Sequence, residues 1–304
     1  MASLTFPSNH LSSINAKTVI ITGGSGGIGA ATATLFHAHG ANVVIADLPS
    51  TESQANALIA SLSQRAVFVP TDILDWLSMK SLFQKTKARF GSVDIVVANA
   101  GMMETRNFFD EEFDEVGELK EPVGSYNVID VNLKGTMNTT KLALHYLRQN
   151  PVSDAGSRGS IILVSSTSGY FGGTSVVAYV SSKHGVTGLL RSSQRAAKAV
   201  NVTVNAVAPF FTPTNITSSF SKAWKDKGLL ENSAQDVAYA VACMVADSKR
   251  TGQCCLVAGG VMKEIEKPHD ALTEQWLGKD IVHLMSEGGK LFEELGGYPL
   301  PKYR

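Results

Sequence analysis

ITGGSGGIGAATATLFHAHGANVVIADLP, residues 21–49, decides the fold of this chain. Gly23, Gly24, Gly26, Gly27 and Gly29 crowd into one turn. Before them, Lys17-Thr18-Val19-Ile20-Ile21 is β-branched and apolar without polar alternation, the pattern of a buried strand. After them, residues 28–39 carry Ala30, Ala31, Ala33, Leu35 and Phe36, the small and apolar faces of a helix. The glycines therefore occupy a strand-to-helix turn. Glycine there permits positive φ and lets another group come close to the backbone. A helix starting at that point presents unpaired N–H groups and partial positive charge, a seat for phosphate. A second strand over 42–46 ends at Asp47, 20 residues after Gly27. A carboxylate at that distance suits the ribose hydroxyls of a dinucleotide. A tight turn with no ligand is the alternative for the glycines alone.

Outward from this unit the chain alternates. A helix is expected over 51–63, a strand over 66–70, and a helix over 75–90 with Asp75 as N-cap and Gly91 as C-cap. A strand over 93–98 leads into Asn99-Ala100-Gly101. Residues 102–123 are irregular and acidic (Glu104, Asp110, Glu111, Glu112, Asp114, Glu115, Glu118), expected as a solvated excursion because no His or Cys spacing accompanies the carboxylates. One long helix is expected over 124–150, a strand over 160–164, a helix over 176–200 and a strand over 201–208. A loop with a short helix fills 209–231. A helix over 233–246, with Ser233 as N-cap, and a strand over 253–257 complete the pattern. Seven parallel strands joined by helices on both faces make a doubly wound α/β sheet. Residues 1–261 are expected as one domain. Residues 262–304 form a C-terminal extension with a helix over 270–287, whose Trp276, Leu277, Ile281, Leu284 and Leu291 favour burial against a neighbouring surface over a disordered tail.

The bulk properties narrow the function. Charge is balanced, with 27 basic and 27 acidic residues, and no basic patch stands out, which argues against nucleic acid. Apolar runs are too short for a membrane span. Residues 1–17 lack the basic start and apolar core of a signal peptide. The cysteines, Cys243, Cys254 and Cys255, do not make a disulfide framework. They read as small core hydrophobes in a reducing cytoplasm. No metal site is expected.

A second constellation follows the strand over 160–164. In SSTSGYFGGTSVVAYVSSKHG, Tyr179 and Lys183 stand four apart, on one helix face. A free phenol titrates near 10. An ammonium about 4 Å away at an effective dielectric near 20 is worth roughly 4 kcal/mol. That predicts a phenol lowered by about three units, ready to exchange a proton with a hydroxyl.

Thr22-Gly23-x-x-x-Gly27-x-Gly29, Asn99-Ala100-Gly101, Asn132, Ser166 and Tyr179-x-x-x-Lys183 occur in this order. From about Lys17 to Gly260 the sequence resembles the short-chain dehydrogenase/reductase family of the compact, single-domain Rossmann type. The resemblance implies Tyr179 as catalytic acid/base and Lys183 as ligand of the nicotinamide ribose. It implies Ser166 as donor to the reacting oxygen and Asn132 as holder of a proton-relay water. Ser165 and Ser168 are the other candidates; the interval to Tyr179 favours Ser166. The cofactor set it implies is Gly23, Ser25, Gly27, Ile28, Gly29, Asp47, Asp72, Ile73, Asn99, Ala100, Gly101, Tyr179, Lys183, Pro209 and Thr214. Asp47 repels a 2′-phosphate, and neither Ala46, Leu48 nor Ser25 offers a cation to hold one, so NAD(H) is expected over NADP(H).

One departure stands out. After the strand over 201–208 the family carries Pro-Gly; here Pro209 is followed by Phe210 and Phe211. These rings, with Ser168, are expected at an apolar substrate wall. Met102, Met103, Phe108, Phe109 and Phe113 are candidates for the pocket entrance, with ordinary packing under the loop as the alternative. The expected activity is interconversion of a secondary alcohol and a ketone on a small, mainly apolar molecule. A secondary-metabolism ketoreductase using NADPH, or a non-redox module on the same fold, are the alternatives. The helices over 124–150 and 176–200 resemble those that pair subunits in the family, implying a homodimer or homotetramer.

Overall fold

A computed structural model describes residues 10–302. The signal-peptide reading of residues 1–17 falls largely outside them. The chain divides between Lys263 and Glu264 into two compact units.

The first unit carries strands β1 (Thr18–Thr22), β2 (Asn42–Asp47), β3 (Ala66–Pro70), β4 (Ile95–Ala98), β5 (Gly159–Val164), β6 (Val202–Pro209) and β7 (Cys254–Ala258). All adjacent pairs among these seven run parallel. A short β8 (Val261–Glu264), which the sequence reading lacks, follows Gly259-Gly260, whose positive φ values make the turn. The order is β3-β2-β1-β4-β5-β6-β7-β8. The chain winds outward from β1 in one direction, then returns to place β4 on its other side. The crevice at the carboxyl ends of β1 and β4 is where such a sheet binds ligands.

Helices α1 (Gly27–Ala38), α2 (Glu52–Leu62) and α3 (Trp76–Phe90) connect the first four strands. Asp75 caps α3 by accepting from Leu77 N–H at 2.9 Å, and Gly91 ends it at φ +83°. Ile21, Phe36, Ile45, Val97, Val241 and Cys243 join one buried apolar cluster. The three cysteines are buried and none is in a disulfide.

The expected long helix over 124–150 is three pieces: α4 (Val123–Ile129), a π-helical turn (Asp130–Lys134) and α5 (Gly135–Leu147). The wider turn carries Asn132, which is fully buried. The remaining helices of this unit are α6 (Val177–Lys198), α7 (Ser218–Asp226) and α8 (Ala234–Ala246), the last capped by Ser233 and Asp236 reciprocally.

The second unit does not contain the single helix expected over 270–287. It has α9 (Glu266–Ala271), α10 (Thr273–Leu277) and α11 (Lys279–Glu294), with Gly278 at φ +83° breaking the path between α10 and α11. By itself this unit gives Trp276, Ile281, Leu284 and Leu291 no closed core, because so short a run of helices cannot make one of its own. Among the described residues no helix is long and apolar enough to cross a membrane.

Candidate active site

A cleft of about 850 Å³ opens at the switch point. At one end lies the glycine turn. Gly23 has φ +64°, and a Cβ there would stand 2.8 Å from Ala100 Cα. One on Gly29 would stand 2.1 Å from the Gly23 carbonyl oxygen. Gly29 therefore packs the helix onto the turn and does not line the cleft. The Asn99 side chain fastens the turn to the β4 loop, donating to the Thr22 and Gly23 carbonyls at 3.0 Å each. Thr22 Oγ1 accepts from Asn99 N–H at 3.0 Å and Ala100 N–H at 3.2 Å. Gly26, the residue before α1, caps it with no side chain, and nothing lies within 4 Å of a Cβ built there. Gly26 thus faces open space at the start of α1.

Asp47 is held firmly at the adjoining rim. Its Oδ2 accepts from Ser25 N–H at 3.1 Å and from the Ser25 hydroxyl, while Oδ1 accepts from Leu48 N–H at 2.8 Å. Asp72 lines the cleft, with Oδ1 accepting from Leu74 N–H at 2.8 Å to brace its own turn. Ile73 lies beside it, and Gly135 leaves the room its side chain fills. Pro209 and Thr214 close the cleft from the opposite side, with the Thr214 methyl lying over Gly27.

Midway along the cleft, Ser166, Tyr179 and Lys183 come together. The Ser166 side chain is hydrogen-bonded to the Tyr179 phenol. Its Oγ also accepts from Ser168 N–H at 3.1 Å, starting a short 3-10 turn. Ser165 faces away: its hydroxyl meets the Lys183 carbonyl at 3.3 Å and Thr187 Oγ1 at 3.1 Å. The Lys183 ammonium donates to the Val164 carbonyl at 2.9 Å and sits 5.6 Å from the Tyr179 ring centroid.

The electrostatics differ from the expectation of a phenol lowered by its lysine. Burial pushes the Tyr179 phenol above its ordinary value, opposed by the bond to Ser166. Burial also pushes Lys183 down to about 8. Desolvation disfavours both charged forms, and the ammonium spends its contact on a carbonyl rather than on the phenol oxygen.

Asn132 stands behind the cleft rather than in its wall. Its Oδ1 accepts from Met102 N–H at 2.8 Å, and its Nδ2 donates to the Met102 carbonyl and to Ser182 Oγ at 3.0 Å each. The side chain is thus a bracket for the loop after β4.

The third portion of the cleft is apolar. Phe211 stacks on Trp224 with centroids 4.3 Å apart and meets Phe220 at 5.4 Å. Phe210 meets Trp224 edge-on at 5.5 Å and is 45% exposed. Phe210 therefore lines the rim and does not turn away. Met102, Met103 and Ser168 line the same space. Of the five entrance candidates, Phe108, Phe109 and Phe113 are not in the lining, and Phe109 and Phe113 are exposed.

Two participants escaped the sequence reading. Trp224 lies on α7, within the 209–231 segment expected as a loop with a short helix. Glu104 was grouped with solvated carboxylates, yet it accepts from Ala178 N–H at 3.1 Å and Tyr179 N–H at 3.0 Å. The start of α6 at Val176, which has no side-chain acceptor, was the available signal.

The bare α1 terminus, the fixed Asp47 and the flat wall at Ile73 fit a dinucleotide. Among the described residues no group of three or more His, Cys, Asp or Glu side chains could hold a metal.

Comparison with known proteins agrees with this architecture. Residues 17–225 match the family described as short chain dehydrogenase. Short-chain dehydrogenase/reductase prx4 of Penicillium roqueforti is 32% identical over 297 residues, covering 91% of this chain and 85% of that protein. (+)-Borneol dehydrogenase 1 of Salvia officinalis is 33% identical over 211 residues, covering 69% and 75%. The crystal structure of 3-hydroxyacyl-CoA dehydrogenase type-2 from Mycobacterium avium is similar with a TM-score of 0.71 at 27% identity, covering 80% of this chain and 95% of that one. A match over most of the chain, carried by the same winding of the sheet, makes this protein a member of the short-chain dehydrogenase/reductase family of oxidoreductases.

Proposed function

We propose that this chain is an NAD(H)-dependent dehydrogenase that interconverts a secondary alcohol and a ketone on an uncharged, mainly apolar small molecule. The observation that carries the reading is the meeting of Ser166, Tyr179 and Lys183 in one cleft with the glycine turn and Asp47. Bound nicotinamide supplies the hydride acceptor or donor. The chain supplies the rest. The α1 terminus and the glycine turn seat the diphosphate, and Asp47 takes the adenosine ribose. Lys183 binds the second ribose. Tyr179 moves the proton at the substrate oxygen, and Ser166 donates to that oxygen. Asn132 supports the proton path by fixing the backbone around Tyr179.

The substrate end carries Phe210, Phe211, Phe220, Trp224, Met102 and Met103, and its charged lining is limited to Glu104 and Lys183. Glu104 is engaged with backbone and Lys183 with Val164. Among the described residues, that leaves no free cation for an anionic substrate. The Salvia officinalis relative, named for (+)-borneol, is a fitting precedent for a cyclic alcohol of secondary metabolism.

We further propose a cytoplasmic location, since its three cysteines are buried and none is in a disulfide, and a homodimer or homotetramer. Tyr126 and Met137, exposed on α4 and α5, suit a subunit contact.

Following NADH absorbance over a panel of alcohols and ketones tests the activity. Tyr179→Phe is expected to abolish turnover with little change in NADH affinity. Retained turnover excludes this mechanism.

A further inference from the structure

We propose that Glu104 is a positioning residue for Tyr179: from the loop after β4 it caps α6 and fixes where the phenol stands. The inference rests on the reading of Tyr179 as the proton-transfer group.

The first N–H groups of a helix have no partner within it. Ser, Thr, Asp or Asn at the N-cap ordinarily supplies one. At α6 that place is held by Val176, which makes no side-chain bond. Ser175, just before it, is held at φ +62°. The missing acceptor comes from 74 residues earlier in the chain. One oxygen of Glu104 accepts from Ala178 N–H and the other from Tyr179 N–H. A carboxylate at this end also suits the helix dipole.

The carbonyl of the same residue, in the next peptide unit, is held from the same loop. The Tyr179 carbonyl accepts from Ser182 Oγ at 2.8 Å. That hydroxyl accepts from Asn132 Nδ2, which grips the Met102 carbonyl, while Met102 N–H returns to Asn132 Oδ1. Residues 102 and 104 therefore clamp Tyr179 at its N–H directly and at its C=O through two side chains. The phenol lies at the end of a long side chain, so a small turn of this backbone carries it away from Ser166. A negative charge here opposes the phenolate, so activation does not explain the carboxylate; placement does.

The test uses the full chain as Glu104→Ala, Glu104→Gln and Tyr179→Phe, with tyrosine labelled with ¹³C at Cζ. The Tyr179 resonance is the one absent from Tyr179→Phe. In Glu104→Ala it is expected to move towards that of a solvated tyrosine. Glu104→Gln keeps one acceptor oxygen and is expected to move it less. NADH affinity stays unchanged. With a substrate from the panel, kcat in Glu104→Ala is expected to fall by about 100-fold while KM moves far less, with partial recovery in Glu104→Gln.

A wild-type kcat in Glu104→Ala overturns the proposal. If Tyr179→Phe itself keeps turnover, the proposed function fails separately. The resonance then decides the clamp: displaced, it stands; unmoved, it falls. Should Glu104→Ala not fold, Glu104→Gln carries the same readouts, and a wild-type resonance with wild-type kcat overturns the proposal.

Discussion

The Lys183 ammonium is anchored on the carbonyl oxygen of Val164 at 2.9 Å, inside a wall where burial lowers its pKa to about 8. In the unfolded chain the same group titrates near 10.5. Between those values the unfolded chain binds more protons, so folding stability rises with pH through that window. Below about pH 8 the buried charge costs the most, on the order of 3 kcal/mol. Lys183→Met is therefore expected to stabilise the cofactor-free protein at pH 7. The gain is offset in part by about 1 kcal/mol for the lost bond to Val164. Urea titrations at pH 7 and pH 9 check this: the variant should lose the rise seen in the wild type. Above pH 10 the raised Tyr179 phenol acts in the opposite sense, because the folded chain then holds the extra proton. An unchanged or lower stability of Lys183→Met at pH 7 refutes the burial argument.

Gly26 separates folding from cofactor binding. Its φ of −145° is open to any residue, and nothing lies within 4 Å of an added Cβ. Gly26→Ala is expected to leave stability within about 0.5 kcal/mol of wild type. If the diphosphate of the dinucleotide lies against the start of α1, the new methyl occupies its space, and NADH affinity should fall by about tenfold or more. Thermal unfolding and NADH fluorescence titration measure the two effects. Unchanged affinity would place the diphosphate elsewhere. Gly29→Ala is the contrasting case, expected to lose stability as well, because its Cβ meets the Gly23 carbonyl.

Asp47, tied to Ser25 and Leu48, cannot swing away from a 2′-phosphate without breaking those bonds. At 4–5 Å and an effective dielectric near 20, each unit of like charge costs roughly 3–4 kcal/mol. The wild type is expected to bind NADH at least about tenfold more tightly than NADPH. Asp47→Asn should narrow that gap mainly by improving NADPH. Parallel titrations decide it, and tighter binding of NADPH by the wild type removes the NAD assignment.

The winding of the sheet was legible because its signals are local. β-branched runs, Asp75 and Gly91 at the ends of α3, and the glycine turn each act over a few residues. The long helix expected over 124–150 is interrupted at its centre, since a π turn has no compositional mark; that turn carries Asn132, whose side chain reaches Met102 and Ser182. Glu104 was lost among neighbouring carboxylates for the same reason: its partners are 74 and 75 residues away. The lowered phenol failed on a different ground. Spacing places a lysine on the same face as a tyrosine, but it gives neither the desolvation of both nor the carbonyl that the lysine prefers.

Trp224 joins the short helix α7 to the two phenylalanines after β6. Its indole stacks on Phe211 and takes Phe210 edge-on, and its Nε1 donates to the Leu230 carbonyl at 3.0 Å. Each ring pair of this kind is worth about 0.5–1.5 kcal/mol beyond the area it buries. Trp224→Ala should therefore release Phe210 and Phe211 as well as remove one wall. KM for an apolar alcohol is expected to rise by about 10- to 100-fold, with NADH affinity unchanged because the glycine turn is untouched. Phe210→Gly removes a half-exposed ring at the rim and should raise KM less. The glycine turn is untouched here too, so NADH affinity should hold or improve. Steady-state kinetics with one bulky and one small alcohol distinguish the cases: the bulky substrate should suffer most in Trp224→Ala. Equal losses for both alcohols, or none, would mean that this aromatic group braces α7 without touching the substrate.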